Sequence, residues 1–294
     1  MEDSPSHFSV LISIYHKEVP AYFNRAMQSI WDDQILKPDE IVLVEDGPLT
    51  EKLYQEIAGW QKKLGEILKI VKLKKNSGLA KALNEGIKHC SYNLIARMDT
   101  DDISAPDRFK KQIEYLQTHR DIHVLGGSIQ EYSAENNKIL ALRNYPQNTI
   151  DAKKYMAKAS PLAHAAVIYR KEIFSQGFYY SEYLKTSQDI DLWYRIIKAG
   201  YNIASIRDVV YHVRVSQEFF KRRSRKKAYD EFWIYWNGTI SLHGVNWRLI
   251  YPVLRLFTRL MPGSLIRLVY SKHFRKLLNT NSISESSKNE SAPF

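Results

Sequence analysis

The sequence predicts an α/β fold around a mostly parallel sheet. Two observations carry that expectation. Strand-length apolar runs alternate with helix-length amphipathic stretches through the first 120 residues, and carboxylates and glycines gather just after those runs. A chain of 294 residues that is 44% hydrophobic and 12% aromatic also has ample material for a sizeable core.

In order, Phe8 to Tyr15 (FSVLISIY) reads as a buried strand, and AYFNRAMQSIWDDQ has helical spacing. Pro38 and Asp39 mark a turn before a second strand, Glu40 to Val44. Residues 49–64 are expected to be helical and Ile67 to Leu73 to form a third strand. NSGLAKALNEGIKHC reads as a helix starting near Ser77, and Asn93 to Met98 as a fourth strand. Ser104 is expected to cap a helix with Pro106 in its first turn, running to about Thr118. VLGGSIQEY and AAVIYR are two further strand candidates, and SISESSKNESAPF reads as a disordered tail. Right-handed crossovers in such a fold place ligands at the carboxyl ends of the strands.

The net charge of +11 is unevenly spread. From Phe220 onward there are 14 Lys and Arg against 4 Asp and Glu, whereas the first 219 residues hold 29 against 28. A near-neutral body with a basic final quarter points to an anionic surface as partner and argues against nucleic acid, which would need a basic face on the body. Within Asn246 to Leu278, Arg248, Arg255 and Arg259 fall within about 60° of one another on a helix, with leucines, Val253 and Phe257 filling much of the rest. Such a helix suits the plane of an anionic bilayer; alternatively it packs on the body with its arginines solvated. MEDSPSHFSV has no secretory pattern, and no apolar window approaches the length of a membrane-spanning helix. The lone Cys90 fits a reducing compartment.

The stretch YNLIARMDTDDISAPDRF sets Asp99, Asp101 and Asp102 directly after an apolar run. In an extended segment Asp99 and Asp101 share a face. Like carboxylates there repel and raise each other's pKa unless a cation sits between them. An oxygen-only set suits a hard ion, Mn²⁺ or Mg²⁺, completed by substrate phosphates. The plainer alternative is an acidic turn in which Asp102 caps the next helix.

Four segments, EIVLVEDGPL, NSGLAKALNEGI, IARMDTDDISAPDRFKKQIEYL and SQDIDLWYRIIKAGY, occur in the order and spacing of family 2 glycosyltransferases, which the chain resembles over about residues 8–215. The resemblance implies the GT-A fold, a nucleotide-diphosphate sugar as donor, and inversion at the anomeric centre. It implies that Ser13, Tyr15 and Glu18 line the base and ribose and that Asp46 accepts from the base N–H. Asn76 and Gly78 then approach the nucleotide, and Arg97 is either a nucleotide contact or an ion-pair partner of the cluster. Asp99 would face the ribose or metal region and Asp101 ligate the metal, with Asp102 a further candidate ligand. Asp189 takes the place of the general base. The family usually has Glu-Asp there, so Gln188 is a departure that bears on how the base is oriented. His164, Asp191, Trp193, His212, Arg214, Arg222 and Arg223 are the implied acceptor and diphosphate contacts, although Asp191 alternatively braces the helix LWYRIIKAG.

The C-terminal portion is similar to bacterial members that extend sugars on polyprenyl-diphosphate carriers. VEDGPL and RVS…FFKRR resemble those adding galactose β1,3 to lipid-linked N-acetylglucosamine in O-antigen or capsule assembly. The implied partners are UDP-galactose (or UDP-N-acetylglucosamine or UDP-glucose), a lipid-diphosphate-linked acceptor of N-acetylglucosamine type and an anionic membrane. The implied address is the cytoplasmic face of the bacterial inner membrane, held peripherally. Residues 1–219 would be the GT-A domain, with a nucleotide half to about 120 and an acceptor half beyond. Residues 220–278 would form a basic helical region that associates with the membrane, and 279–294 a tail.

Overall fold

The computed structural model describes residues 7–215 and 225–261. Strand β1 (Phe8–Ile14) leads through α1 (Pro20–Ile30) to β2 (Glu40–Glu45), and through α2 (Glu51–Leu64) to β3 (Leu68–Lys72). Helix α3 (Leu79–His89) then returns the chain to β4 (Leu94–Met98). These four strands pair in parallel in the order β3-β2-β1-β4. The apolar residues of β1, β2 and β4 are buried on both faces, as a sheet covered by helices on each side requires, while the edge strand β3 is part-exposed. In β1, Val10, Ile12 and Ile14 pack with Phe23, Met27 and Phe109, while Leu11 packs oppositely against Ala82, Leu83 and Ile87 of α3. Each such burial is worth roughly 1.5–3 kcal/mol relative to exposure.

Beyond β4 the sheet becomes mixed. A two-residue strand β5 (Ile103–Ser104) precedes α4 (Arg108–Thr118), and β6 (Ile122–Ser133) and β7 (Ile139–Arg143) form an antiparallel pair. After α5 (Thr149–Tyr155) come β8 (Ile168–Arg170), α6 (Glu172–Ser175), α7 (Gln188–Lys198) and the 14-residue β9 (Asn202–Val215). β8 joins β4 to β6 antiparallel, β9 runs parallel to β6, and β5 pairs antiparallel with β9. Helix α8 (Arg225–His243) packs on α7, and α9 (Ile250–Leu260) packs on α8.

Two expectations are corrected. Ser104 does not cap a helix: it pairs with Tyr211 in β5, and α4 begins four residues later, because strand pairing with β9 overrides the local cap. Helix α3 starts at Leu79 behind Gly78, close to the expected start near Ser77. The arginines of α9 do share a face, but Arg255 turns inward to Glu231, and Arg259, though exposed, reaches the same carboxylate. Arg222, Arg223 and the 279–294 tail lie outside the described residues. Among the described residues no helix is long and apolar enough to cross a membrane.

Candidate active site

Parallel pairing sets Ser13 beside Val44 and Ile12 beside Met98, so the segments leaving β1, β2 and β4 emerge along one edge of the sheet. Tyr15 and Glu18 follow β1, Asp46 follows β2, and Asp99 follows β4.

Asp46 ties this edge together. Its backbone N–H donates to the Ile14 carbonyl at 2.8 Å. Its two carboxylate oxygens accept from the Ser77 and Gly78 N–H groups at 2.6 and 2.9 Å. Each oxygen keeps a lone pair, so a base N–H can add to this set without breaking it. Asn76 is exposed at the tip of the same loop.

Asp99, Asp101 and Asp102 each offer one oxygen within 4.8 Å of the other two. The turn is held from two sides. Buried Arg97 (2% exposed) sets Nη2 at 2.5 Å from Asp99 Oδ1. From β9, Tyr211 Oη accepts the Asp99 N–H at 3.1 Å and the Arg214 N–H donates to Asp102 Oδ1 at 2.8 Å. Arg214 Nε also donates to the Asp101 carbonyl, and its guanidinium stacks 4.0 Å from the Tyr22 ring centroid. Lost hydration in the cleft and the Asp99 charge push the Asp101 carboxyl up to about 6. Burial, then Asp101 and Asp99, push Asp102 well above the carboxylate range. Crowded carboxylates that resist ionising together are what a divalent cation relieves, and an all-oxygen set fits Mn²⁺ or Mg²⁺.

Asp189 lies in the first turn of α7. Ser187, just before, takes a left-handed φ of 59°, costing an L-residue roughly 1–2 kcal/mol. Burial raises the Asp189 carboxyl above its ordinary value, with Arg97 opposing. Gln188 Nε2 donates to the Leu184 carbonyl at 2.8 Å, so the residue replacing the family's acid braces the turn that presents Asp189.

A match to the model of glycosyl transferase family 2 covers residues 9–178. The chain belongs to that family. It is 34% identical to the amylovoran biosynthesis glycosyltransferase AmsE of Erwinia amylovora, over 90% of this chain and 98% of that one. It is 33% identical, over 95% of this chain and all of the other, to the Escherichia coli UDP-Gal:alpha-D-GlcNAc-diphosphoundecaprenol beta-1,3-galactosyltransferase. Its fold matches Staphylococcus aureus TarS 1–349 solved with UDP-GlcNAc, at a TM-score of 0.62 and 18% identity, covering 94% of this chain and 76% of that one. Two further structures of this fold hold Mn²⁺ together with a nucleotide. The protein is a glycosyltransferase of GT-A fold.

The transferase brings together Ser13, Tyr15, Glu18, Asp46, Asn76, Gly78, Arg97, the three aspartates and Arg214 at one sheet edge. Burial, with the Arg97 charge, pushes the His164 imidazole well below its usual range, leaving it neutral at pH 7. His164 Nε2 lies 2.7 Å from Tyr180 Oη, itself 2.7 Å from Tyr169 Oη.

Other implied contacts do not fit. Trp193 is fully buried and stacks on Tyr169, so it is core and not an acceptor contact. Asp191 accepts from Ser181 Oγ at 2.6 Å and Arg195 Nε at 2.9 Å, so it braces α7. His212 is buried with Nδ1 against Gln130 Oε1 at 3.0 Å, holding β9 to β6 rather than closing on a diphosphate.

Sequence reasoning missed Tyr211, Tyr22, Tyr180 and Asn84. Asn84 clamps the Tyr180 backbone through two 2.9 Å hydrogen bonds, accepting from its N–H and donating to its carbonyl. It was findable: it sits at core spacing with Ala80, Leu83 and Ile87, where a polar side chain needs a buried partner.

Proposed function

We propose that this transferase moves a hexose from a UDP-sugar to a lipid-diphosphate-linked saccharide during bacterial surface polysaccharide synthesis, at the cytoplasmic face of the inner membrane. Galactose in β1,3 linkage onto an N-acetylglucosamine-type acceptor is the favoured chemistry. The near full-length likeness to a relative named for that reaction supports the substrates.

The observation that carries the reaction type is a shared electrostatic centre. Buried Arg97 pairs with Asp99 at 2.5 Å and its charge also reaches Asp189, and this proximity supports a reading in which a leaving-group site and a base site share one cleft. Asp101 and Asp99, with Asp102 behind them, would hold Mn²⁺ or Mg²⁺. When bound, the cation supplies positive charge against the charge growing on the departing diphosphate.

The chain's own groups do the rest. Ser13, Tyr15, Glu18, Asp46, Asn76 and Gly78 wall the nucleoside. Asp189, ionised, accepts the proton of the acceptor hydroxyl as its oxygen bonds to the sugar's anomeric carbon, which helps by roughly 10²–10⁴-fold. The bond to the β-phosphate oxygen breaks on the opposite face and UDP leaves with the electron pair, so configuration inverts. Neutral His164 and cationic Arg214 line the diphosphate side.

The test is a donor screen with Mn²⁺ and a lipid-diphosphate-linked N-acetylglucosamine acceptor, read by mass spectrometry. Transfer from UDP-galactose is expected. Transfer from UDP-glucose or UDP-N-acetylglucosamine alone would move the donor assignment, and no transfer from any UDP-hexose would defeat the reaction.

A further inference from the structure

Helix α9 sits with its polarity reversed relative to an ordinary packed helix. Arg255 Nη1 lies 2.8 Å from Glu231 Oε1, and its Nη2 donates to the Lys158 carbonyl at 2.6 Å. Its guanidinium rests 4.3 Å from the Tyr235 ring centroid. Arg259 Nε reaches the second oxygen of the same carboxylate at 3.1 Å. Glu231, on α8, has a side chain only 10% exposed, so two cations are spent on one nearly buried anion.

The opposite side of α9 is apolar and open. Ile250, Val253, Leu254 and Phe257 follow the spacing of one helix face, and all are exposed, Phe257 by 63%. Trp247 and Val245, just before the helix, and Trp233 and Tyr229 on α8 are also exposed.

We propose that the Ile250–Val253–Leu254–Phe257 face, with Trp247, seats in the interfacial layer of an anionic lipid bilayer, and that the Glu231–Arg255–Arg259 cluster holds α9 in that attitude. Charge decides the occupant. Residues 220–294 carry 14 Lys and Arg against 4 Asp and Glu. The first turn of α8, one turn from Glu231, opens with exposed Arg225, Lys226 and Lys227, and Arg248 lies 5.1 Å from the Trp247 ring centroid. Anionic headgroups are drawn to that charge, whereas a second copy of the chain would bring the same sign against it. Apolar and aromatic side chains backed by Lys and Arg are the composition of segments that lie in a membrane interface.

The placement also suits the chemistry. Helix α8 packs on both α9 and α7, the helix that carries Asp189, so the proposed lipid face and the base are joined through a single helix. The inference deepens the transferase reading by giving a lipid-borne acceptor its surface, and leans on that reading only for this purpose.

The test is flotation of the full chain with phosphatidylglycerol–phosphatidylethanolamine vesicles and with phosphatidylcholine vesicles. The wild type is expected to float with the anionic vesicles and less with the neutral ones. Leu254→Glu combined with Phe257→Glu, two exposed side chains, is expected to lower partitioning roughly ten-fold or more. Its melting temperature and its transfer to a water-soluble acceptor should be unchanged. Wild-type protein that stays with the soluble fraction, or a double variant that floats equally well, overturns the proposal. So does a wild-type dimer that the double variant dissolves, since a second copy would then cover the face. Vesicle binding needs no turnover, so failed transfer with intact flotation would strike the reaction and leave this surface standing.

Discussion

Gly47 offers a sharp test of the nucleotide wall. It has φ of +84°, and a Cβ there would stand 2.4 Å from Asn76 N and 2.7 Å from Lys75 C. The left-handed backbone costs an L-residue roughly 1–2 kcal/mol. The clash is with backbone, so relief requires the 75–78 loop to retreat by roughly 1 Å to ordinary contact distance, at about 1–3 kcal/mol more. That loop carries the Ser77 and Gly78 N–H groups that Asp46 holds. Gly200 is the control: it closes α7 with φ of +90°, yet nothing lies within 4 Å of its would-be Cβ, so Gly200→Ala meets only the backbone cost. Gly47→Ala should therefore melt lower than Gly200→Ala by a few degrees, at roughly 2–4 °C per kcal/mol. In calorimetry with Mn²⁺ it should also bind UDP about ten-fold more weakly. Equal melting temperatures, or wild-type UDP affinity in Gly47→Ala, would show that the Asp46–loop junction is not what shapes the nucleotide site.

Asp189→Asn should cut kcat by roughly 10²–10⁴-fold and yet melt higher at pH 7. Burial raises the folded carboxyl above its unfolded value, so its stabilising contribution is present below the unfolded pKa and lost as pH rises through the folded one; ionised Asp189 costs stability at neutral pH. A lower melting temperature at pH 7, or an acid limb of kcat at the ordinary carboxylate value, would contradict this. Replacing Asp99 and Asp101 with Asn should abolish the extra UDP affinity that Mn²⁺ confers; calorimetry showing the same tightening in wild type and variant would rule out these ligands. Arg97→Met takes the buried counter-charge from Asp99, and because Asp99 is 37% exposed and partly solvated, urea unfolding should show a loss of about 1–3 kcal/mol, below that of a fully buried pair. A loss under 1 kcal/mol would mean the pair is dispensable.

Much of the molecule was legible before any coordinates, and for a local reason. β1, β2 and β4 are dominated by apolar residues and β3 sets Ile70 and Val71 between lysines, so composition within a few residues announces each of them. The aspartates crowd a four-residue window, and their mutual repulsion can be read without knowing what lies nearby. Asp191 illustrates the middle ground, since its bracing by Arg195 is an i,i+4 contact that helix geometry anticipates.

What escaped is uniformly long-range. β9 is interrupted by Arg207 and Asp208 and shifts register against β6, so its alternation is broken, yet its pairing delivers Tyr211 to Asp99 and Arg214 to Asp102 across 112 residues. The same pairing turns Ser104 from a cap into a strand residue. Trp193 reads as available because apolar spacing marks α7 as amphipathic but cannot say how much of its girth is covered. Helix α9 is the clearest case. Its residues guarantee an apolar side and a basic side, but amphipathicity is symmetric about the helix axis. Which side turns inward depends on a buried carboxylate and a tyrosine ring on the neighbouring helix, and only packing supplies those.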